Sequence, residues 1–393
     1  MTSQPVAPTR NPWLAYVDLM SIGYSLYGVG SISPFLRDRL ALTDAETGLH
    51  STALAFGIVS AGFLTSRLGR RWPPPAVHLA AIGLMLVAWL ALAWAPSFVV
   101  TLAAASGIGF GSGVVLSHTN AILAGVGGAL ARERLARGNV WSVVAAVCVP
   151  PVIAGSIALG AGWQCAFVPA ALLLLLAATG TRDVRPAAAI HPTAPAALPG
   201  DFWRGWLLVA FVVSIEFSAV FWGATLVERR TGASIADATL VGGAFYIGMV
   251  AGRLTLSFRQ VAGASPYGLI VVAICTAVAG TLITWVVNVE MGGVFGLFVA
   301  GCGVSVLYPL GVSVALQTSH EHLAVAGARL TIASGSAILI APFVLGAVAD
   351  ALGVVAGWSL VPLFGLVSLG LALVVRRDGS RRMLGPAGAI RSS

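Results

Sequence analysis

Lysine is absent from this chain, and charged residues of both signs occupy only 9% of its 393 positions. A soluble domain carries roughly 25% charge, so the chain lacks the means to build a water-facing surface. All 22 basic residues are arginine, and they are scattered in short polar breaks. The net charge of +8 therefore does not indicate a nucleic-acid partner. Cysteine is scarce as well. Cys148, Cys165, Cys275 and Cys302 lie in apolar stretches and form no CxxC pair, which argues against a disulfide framework or a metal site. A phosphate-binding loop, a nucleophile elbow and zinc-ligand spacing are all missing. These absences speak against an ATP-driven pump and an enzyme, and nothing calls for a cofactor. The period-2 alternation of a membrane barrel is missing too.

What the chain has is apolar length. Hydrophobic residues make up 58% of it, in recurring runs of about 20, each enough to cross a ~30 Å hydrocarbon core as a helix. Backbone facing lipid must satisfy its own hydrogen bonds, so helices are expected. They fall near 13–36, 48–66, 76–95, 98–121, 139–158, 163–180, 204–227, 238–256, 267–287, 291–317, 327–348 and 357–375. The arginines orient these twelve spans. With the N-terminus inside, 18 of the 22 fall on the cytoplasmic side, including Arg10, Arg132, Arg182, Arg185, Arg259 and Arg391. Only Arg37, Arg39, Arg229 and Arg230 fall outside, a bias that follows the positive-inside rule. The expectation is an all-α, multi-pass membrane protein embedded in a lipid bilayer, with both termini cytoplasmic. Its polar start, MTSQPVAPTRNP, leads into an uncleaved first span.

The longest polar break, TRDVRPAAAIHPTAPAALPGDFWRG at 181–205, is rich in Pro and Ala and reads as a linker. It predicts six-helix bundles at 1–180 and 204–393, a cytoplasmic linker at 181–203, and a short cytoplasmic tail. A shift of 190 residues brings Gly111-Ser-Gly113 onto Gly301-Cys-Gly303 and Ala61-Gly62 onto Ala251-Gly252. A shift of 191 brings Pro151-x-x-x-Gly155 onto Pro342-x-x-x-Gly346, and Asp38-Arg39 meets Glu228-Arg229. Four coincidences in nearly one register predict two homologous halves.

The segment after the second span, GFLTSRLGRR, resembles the G-x-L-x-D-R-x-G-R-R loop between helices 2 and 3 of the major facilitator superfamily. Gly62, Leu64, Arg67, Gly69, Arg70 and Arg71 match, and Ser66 stands in place of the Asp. FWGATLVERR, GMVAGRL, GCGVSVLYPL and ARLTIASGSAILIAPFVLGAVAD are similar to segments of a bacterial branch without a defined substrate. The resemblance implies a monomeric inner-membrane carrier of a small molecule, working by alternating access. It also implies a central cavity lined by helices 1, 4, 7 and 10, and a gating role for Gly62, Arg67, Gly69, Arg70 and Arg71. Two exporter features are degraded: Ala105 replaces an Arg of helix 4, and the helix 5 motif is reduced to Pro150-Pro151-Val-Ile-Ala-Gly155. Proton-coupled import is thus favoured, with proton-driven efflux as the alternative and a membrane sensor or enzyme as the contrasting class.

Two carboxylates lie within spans, Asp18 and Glu216. Each costs roughly 2.5–3.5 kcal/mol at a helix centre, so a cavity or a partner is expected. Glu216 sits near the middle of its span, but Ser214, Ser218 and Thr225 cluster roughly opposite it, beside Phe221 and Trp222. It either faces a cavity and carries protons or reaches a neighbouring helix. Asp18, Ser21 and Ser25 form one stripe of the first helix, with Tyr24 and Tyr27 on another side. His118 is at a depth matching Asp18 and makes a titratable pair with it, next to Asn120. Tyr308-Pro309 interrupts the tenth span. Arg329 opens the eleventh, as a gate, an anion ligand or a headgroup anchor. His320-Glu321-His322 reads as solvated.

Overall fold

The computed structural model describes residues 12–125, 127–181, 198–255, 265–319 and 322–383, with side chains at 129, 132, 323, 324 and 378–383 left aside. Residues 182–197 of the linker expected at 181–203 lie outside the described residues, as do Arg10, Arg182, Arg185, Arg259, His320, Glu321, the end of the tail and the Arg132 side chain, and residues 200–203 of that linker are already helical.

Helices α1 (Pro12–Leu40), α2 (Asp44–Arg71), α3 (Pro74–Trp94), α4 (Phe98–Ala124), α5 (Gly128–Val147), α6 (Val149–Ala158) and α7 (Phe167–Ala178) make up the N-terminal part. The C-terminal part contains α8 (Gly200–Thr231), α9 (Ile235–Thr255), α10 (Pro266–Val286), α11 (Glu290–Val304), α12 (Leu307–Gln317), α13 (Leu323–Leu352), α14 (Val354–Trp358) and α15 (Leu360–Met383). Among the described residues, ten helical paths are long and apolar enough to cross a membrane, and Trp163–Ala178 is a shorter apolar one. With α1, a 29-residue helix, every segment expected from the sequence is helical.

Local chemistry sets the ends. A capping box starts α2: the Thr43 hydroxyl accepts from Glu46 N at 3.2 Å, and the Glu46 carboxylate accepts from Thr43 N at 2.9 Å. The helix ends at Trp72-Pro73, so GFLTSRLGRR is not a loop but the last turns of α2. The path of the tenth span breaks at Ser305-Val306, and Pro309 then sits in the first turn of α12, where its missing N–H costs nothing.

Glycine makes the closest helix pairs. A Cβ on Gly57 of α2 would fall on the Ser106 carbonyl of α4, and one on Gly109 would fall on the Leu54 carbonyl. The same interlock joins α9 to α11, where a Cβ on Gly248 meets the Phe298 carbonyl and one on Gly301 meets that of Phe245. Gly111 lies against Ala81 and Met85 of α3, just as Gly303 lies against Ala273 and Ala277 of α10. The recurring contacts put Gly109 opposite Gly301 and Gly111 opposite Gly303, a shift of 192 residues. The shift of 190 read from the sequence is therefore displaced. Gly107, Gly109, Gly111 and Gly113 alternate along α4, so matching glycines alone does not choose among registers.

The two parts meet along a seam where α1 faces α8 and α9, α2 faces α13, and α5 and α6 face α9. From Asp44 to Val59, α2 runs antiparallel to α13: Gly346 lies against Asp44, Gly48 against Pro342, and Gly335 against Val59. Beyond that point α2 carries exposed Phe63 and Leu64. Large apolar side chains such as Leu159, Val99, Leu172 and Val272 are exposed around the exterior, a surface suited to lipid.

Candidate functional site

At the centre of the seam, α1 and α8 approach closely because Gly30 has no side chain: a Cβ there would meet the Val220 carbonyl at 3.0 Å. Glu216 lies halfway along the 32-residue α8, ~24 Å from its first residue. It does not face a polar stripe of its own helix. It crosses the seam, and the Tyr27 hydroxyl of α1 donates to its Oε1 at 2.7 Å. The Tyr27 ring stacks on Phe217 at 6.3 Å between centroids and meets Tyr246 of α9 edge-on at 5.4 Å. The Tyr246 hydroxyl is 3.1 Å from Ser31 Oγ and donates to the Tyr27 carbonyl at 3.4 Å. One carboxylate, two phenols and a serine hydroxyl thus form a buried network between the two parts of the chain. Such a network is worth more than its separate bonds when every member is paired. Tyr308, on α12, is 41% exposed.

The Ser/Thr side of α8 does not line this network. Ser214 bonds the Ala210 carbonyl of its own helix at 2.9 Å, a local alternative common for Ser in helices. Thr225 meets Arg37 at 3.4 Å. Trp222, fully buried, donates to the Pro342 carbonyl at 2.9 Å and packs α8 on α13.

The two ends of the seam differ. Where α1 finishes, Arg37 donates to both oxygens of Glu228 at 2.8 Å, and Arg229 makes a bidentate pair with Asp44 at 2.6 and 2.6 Å. Asp350 of α13 accepts from the Asp44 and Ala45 amides at 2.7 and 2.8 Å, placing a negative charge on the N-terminus of α2. At the opposite end, where α1 begins, Arg253 of α9 donates to the Asn139 carbonyl of α5 at 2.5 Å and to the Ser305 carbonyl at 3.3 Å. The first end joins charge to charge, the second joins charge to backbone.

The other candidates are dispersed. Tyr24 donates to the Ala166 carbonyl at 2.9 Å, inside the N-terminal part. Asp18 and His118 do share a cluster there, completed by His78 of α3. Asn120 and Arg329 are exposed, and the Arg329 carbonyl accepts from Trp206 at 2.8 Å. Gly62 and Gly69 have open space around them, and Arg67, Arg70 and Arg71 are exposed at the end of α2. Sequence reasoning missed His78, Tyr246 and the ion pairs of Arg37 and Arg229. The signal available for the last was the matching pair of charged turns after the first and seventh spans.

The fold of the chain is shared with solved structures of membrane transporters. No family model matches the sequence, and no curated protein matches it. Among solved structures, the chain is similar to a bacterial homologue of the human lysosomal transporter Spinster in an inward-facing, occupied conformation. The identity is 15%, over 93% of this chain and 96% of that one, with a TM-score of 0.70. The nucleoside transporter NupG is similar at 14% identity, over 93% and 98% of the two chains, with a TM-score of 0.70. The unoccupied inward-facing form of the Spinster homologue gives 0.63 at 12% identity, over 93% and 96%.

Proposed function

We propose that the protein is a secondary transporter with twelve spans in two six-helix bundles, moving a small organic solute across the inner membrane by proton-coupled symport. Both termini are then cytoplasmic, and the end held by Arg37, Glu228, Arg229 and Asp44 faces the periplasm. The observation that carries this reading is the Tyr27–Glu216 bond. It ties the two parts of the chain together at the midpoint of a span, so any rocking of one against the other must break or remake it. A carboxylate released from its phenol in a dry setting favours taking up a proton. Solute, proton and conformation then depend on one side chain, which is the linkage a symporter needs.

The test has two stages. A thermal-shift screen of the purified protein against metabolites finds a stabilising solute, since a ligand of the folded form raises its stability. That solute is then followed in proteoliposomes. Glu216→Gln is expected to abolish accumulation driven by a pH gradient while keeping solute exchange between the two sides. Accumulation equal to the unmodified protein overturns the coupling role of Glu216.

A further inference from the structure

Among the described residues, two charged side chains cross the seam between its ends, and they do not pair with each other. Glu216 of α8 accepts from the Tyr27 hydroxyl, and Arg253 of α9 donates to the Asn139 and Ser305 carbonyls at 2.5 and 3.3 Å. Among the described residues Arg253 makes no ion pair. A guanidinium has five N–H groups in a planar fork. Nε and one N–H of Nη1 are used, so the other N–H of Nη1 and both of Nη2 have no acceptor. Nη2 is also not fully buried, so it opens onto accessible space.

Other arginines held by the fold keep different company. Arg37 and Arg229 pair with carboxylates, and Arg39 and Arg230 lie on the closing carbonyls of α3 and α10, where the helix dipole favours a cation. Arg253 has such a carbonyl in Ser305, but Asn139 lies within α5, where its carbonyl already serves its own helix. Packing does not require the arginine. The interlocking Gly57 and Gly248 put Gly62 of α2 in the place of Arg253, and Gly62 has open space around it. Arg253 stands seven residues past Tyr246, on the same face of α9 and ~10.5 Å along it. It therefore lies between the centre of the seam and the end where α1 begins. At that end α2 exposes Phe63 and Leu64 beyond its contact with Gly335 of α13. The seam is shut by ion pairs at one end and looser at the other, and Arg253 is on the looser side.

We propose that Arg253 binds the anionic group of the transported solute, and that this solute is a small monocarboxylate. The inference rests on the transport reading, in which Glu216 carries the proton. Charge decides the class. With Glu216 neutral, Arg253 leaves one positive charge in the seam, and a single carboxylate cancels it. A neutral solute leaves the guanidinium uncompensated away from water, which is costly, and a cation adds like charge. A phosphate monoester carries nearly two negative charges and reverses the sign. Shape agrees with charge, since two parallel N–H groups of a guanidinium match the two oxygens of a carboxylate. Proton and anion then cross together as a neutral load.

Binding tests this without transport. The purified protein in lipid nanodiscs is unfolded by heat in the presence of lactate, benzoate, nicotinate or phenylacetate, each beside its own neutral amide. At least one acid is expected to raise the unfolding temperature while its amide does not. Arg253→Gln is expected to lose that response. Arg253→Lys keeps the charge but not the fork, and is expected to bind the same acid about tenfold more weakly. The proposal is overturned if no acid exceeds its amide, or if Arg253→Gln keeps the preference. Should Arg253→Gln not fold, the lysine variant decides, and an affinity equal to that of the unmodified protein overturns the assignment. Glu216→Gln, neutral like the protonated acid, is expected to keep the acid response. An acid that binds through Arg253 yet accumulates undiminished in Glu216→Gln defeats the coupling role alone. Accumulation lost in Glu216→Gln with no preference for acids defeats the Arg253 assignment alone.

Discussion

In the N-terminal helices Asp18, His78 and His118 turn toward one another, inside their own part of the molecule. In the C-terminal helices Glu216, Tyr246 and Arg253 turn outward to the seam, and each meets a residue of the other part. Yet the two parts share their scaffold, for the α2–α4 interlock recurs between α9 and α11. Close helix packing admits few substitutions, since a methyl group at a backbone contact forces two helices apart. The buried ionisable groups do not recur with the interlock: Asp18, His78 and His118 lie in one part and Glu216 in the other. Both parts pair charges across the end of the seam, and the N-terminal part in addition keeps Asp18, His78 and His118 inside itself.

The comparison can be broken most forcefully at the interlocks. Gly109→Val and Gly301→Val are each expected to destabilise the protein by about 3 kcal/mol or more, because a side chain would be driven into backbone. Thermal unfolding in detergent should show similar losses for both, and a large loss for only one would end their equivalence. Next comes the charged end of the seam. Asp44→Asn removes the charge facing Arg229 and is expected to cost about 2–3 kcal/mol, the range for hydrogen bonds to charged groups. The site at the middle of the seam should be less sensitive. Tyr27→Phe deprives Glu216 of its phenol and is expected to cost about 1–2 kcal/mol, with exchange of any transported solute altered more than stability. The smallest effect belongs to Asp350→Ala, which strips a cap from α2 and is expected to cost about 1 kcal/mol. If this change outweighs Asp44→Asn, the ion pairs are not what hold that end.

Much of this was legible before any coordinates. Apolar length marked the long helical paths among the described residues, and the scarcity of charge singled out Asp18 and Glu216. Equal depth suggested a pair of Asp18 with His118, and the structure puts His78 against each of them. What could not be read was rotation of one helix against another. Glu216 had no polar neighbours on its own helix, and only packing brings Tyr27 opposite it. The Ser/Thr stripe of α8 gave no direction, because Ser214 bonds the backbone of its own helix. His78 was hidden by its place early in α3, where a histidine looks like an interfacial residue until the helix is packed. The register of the repeat was blurred by alternating glycines, which contacts resolve and composition does not.

The cap on α2 has one more consequence. The amides of Asp44 and Ala45 are held by a carboxylate that belongs to α13, so they lose their acceptor whenever α13 draws away from α2. Their exchange with deuterium would then quicken at that end while the amides deeper in α2, held within the helix, stay slow. Two backbone hydrogens would thus report whether this end of the molecule is open, with no label attached and no solute identified.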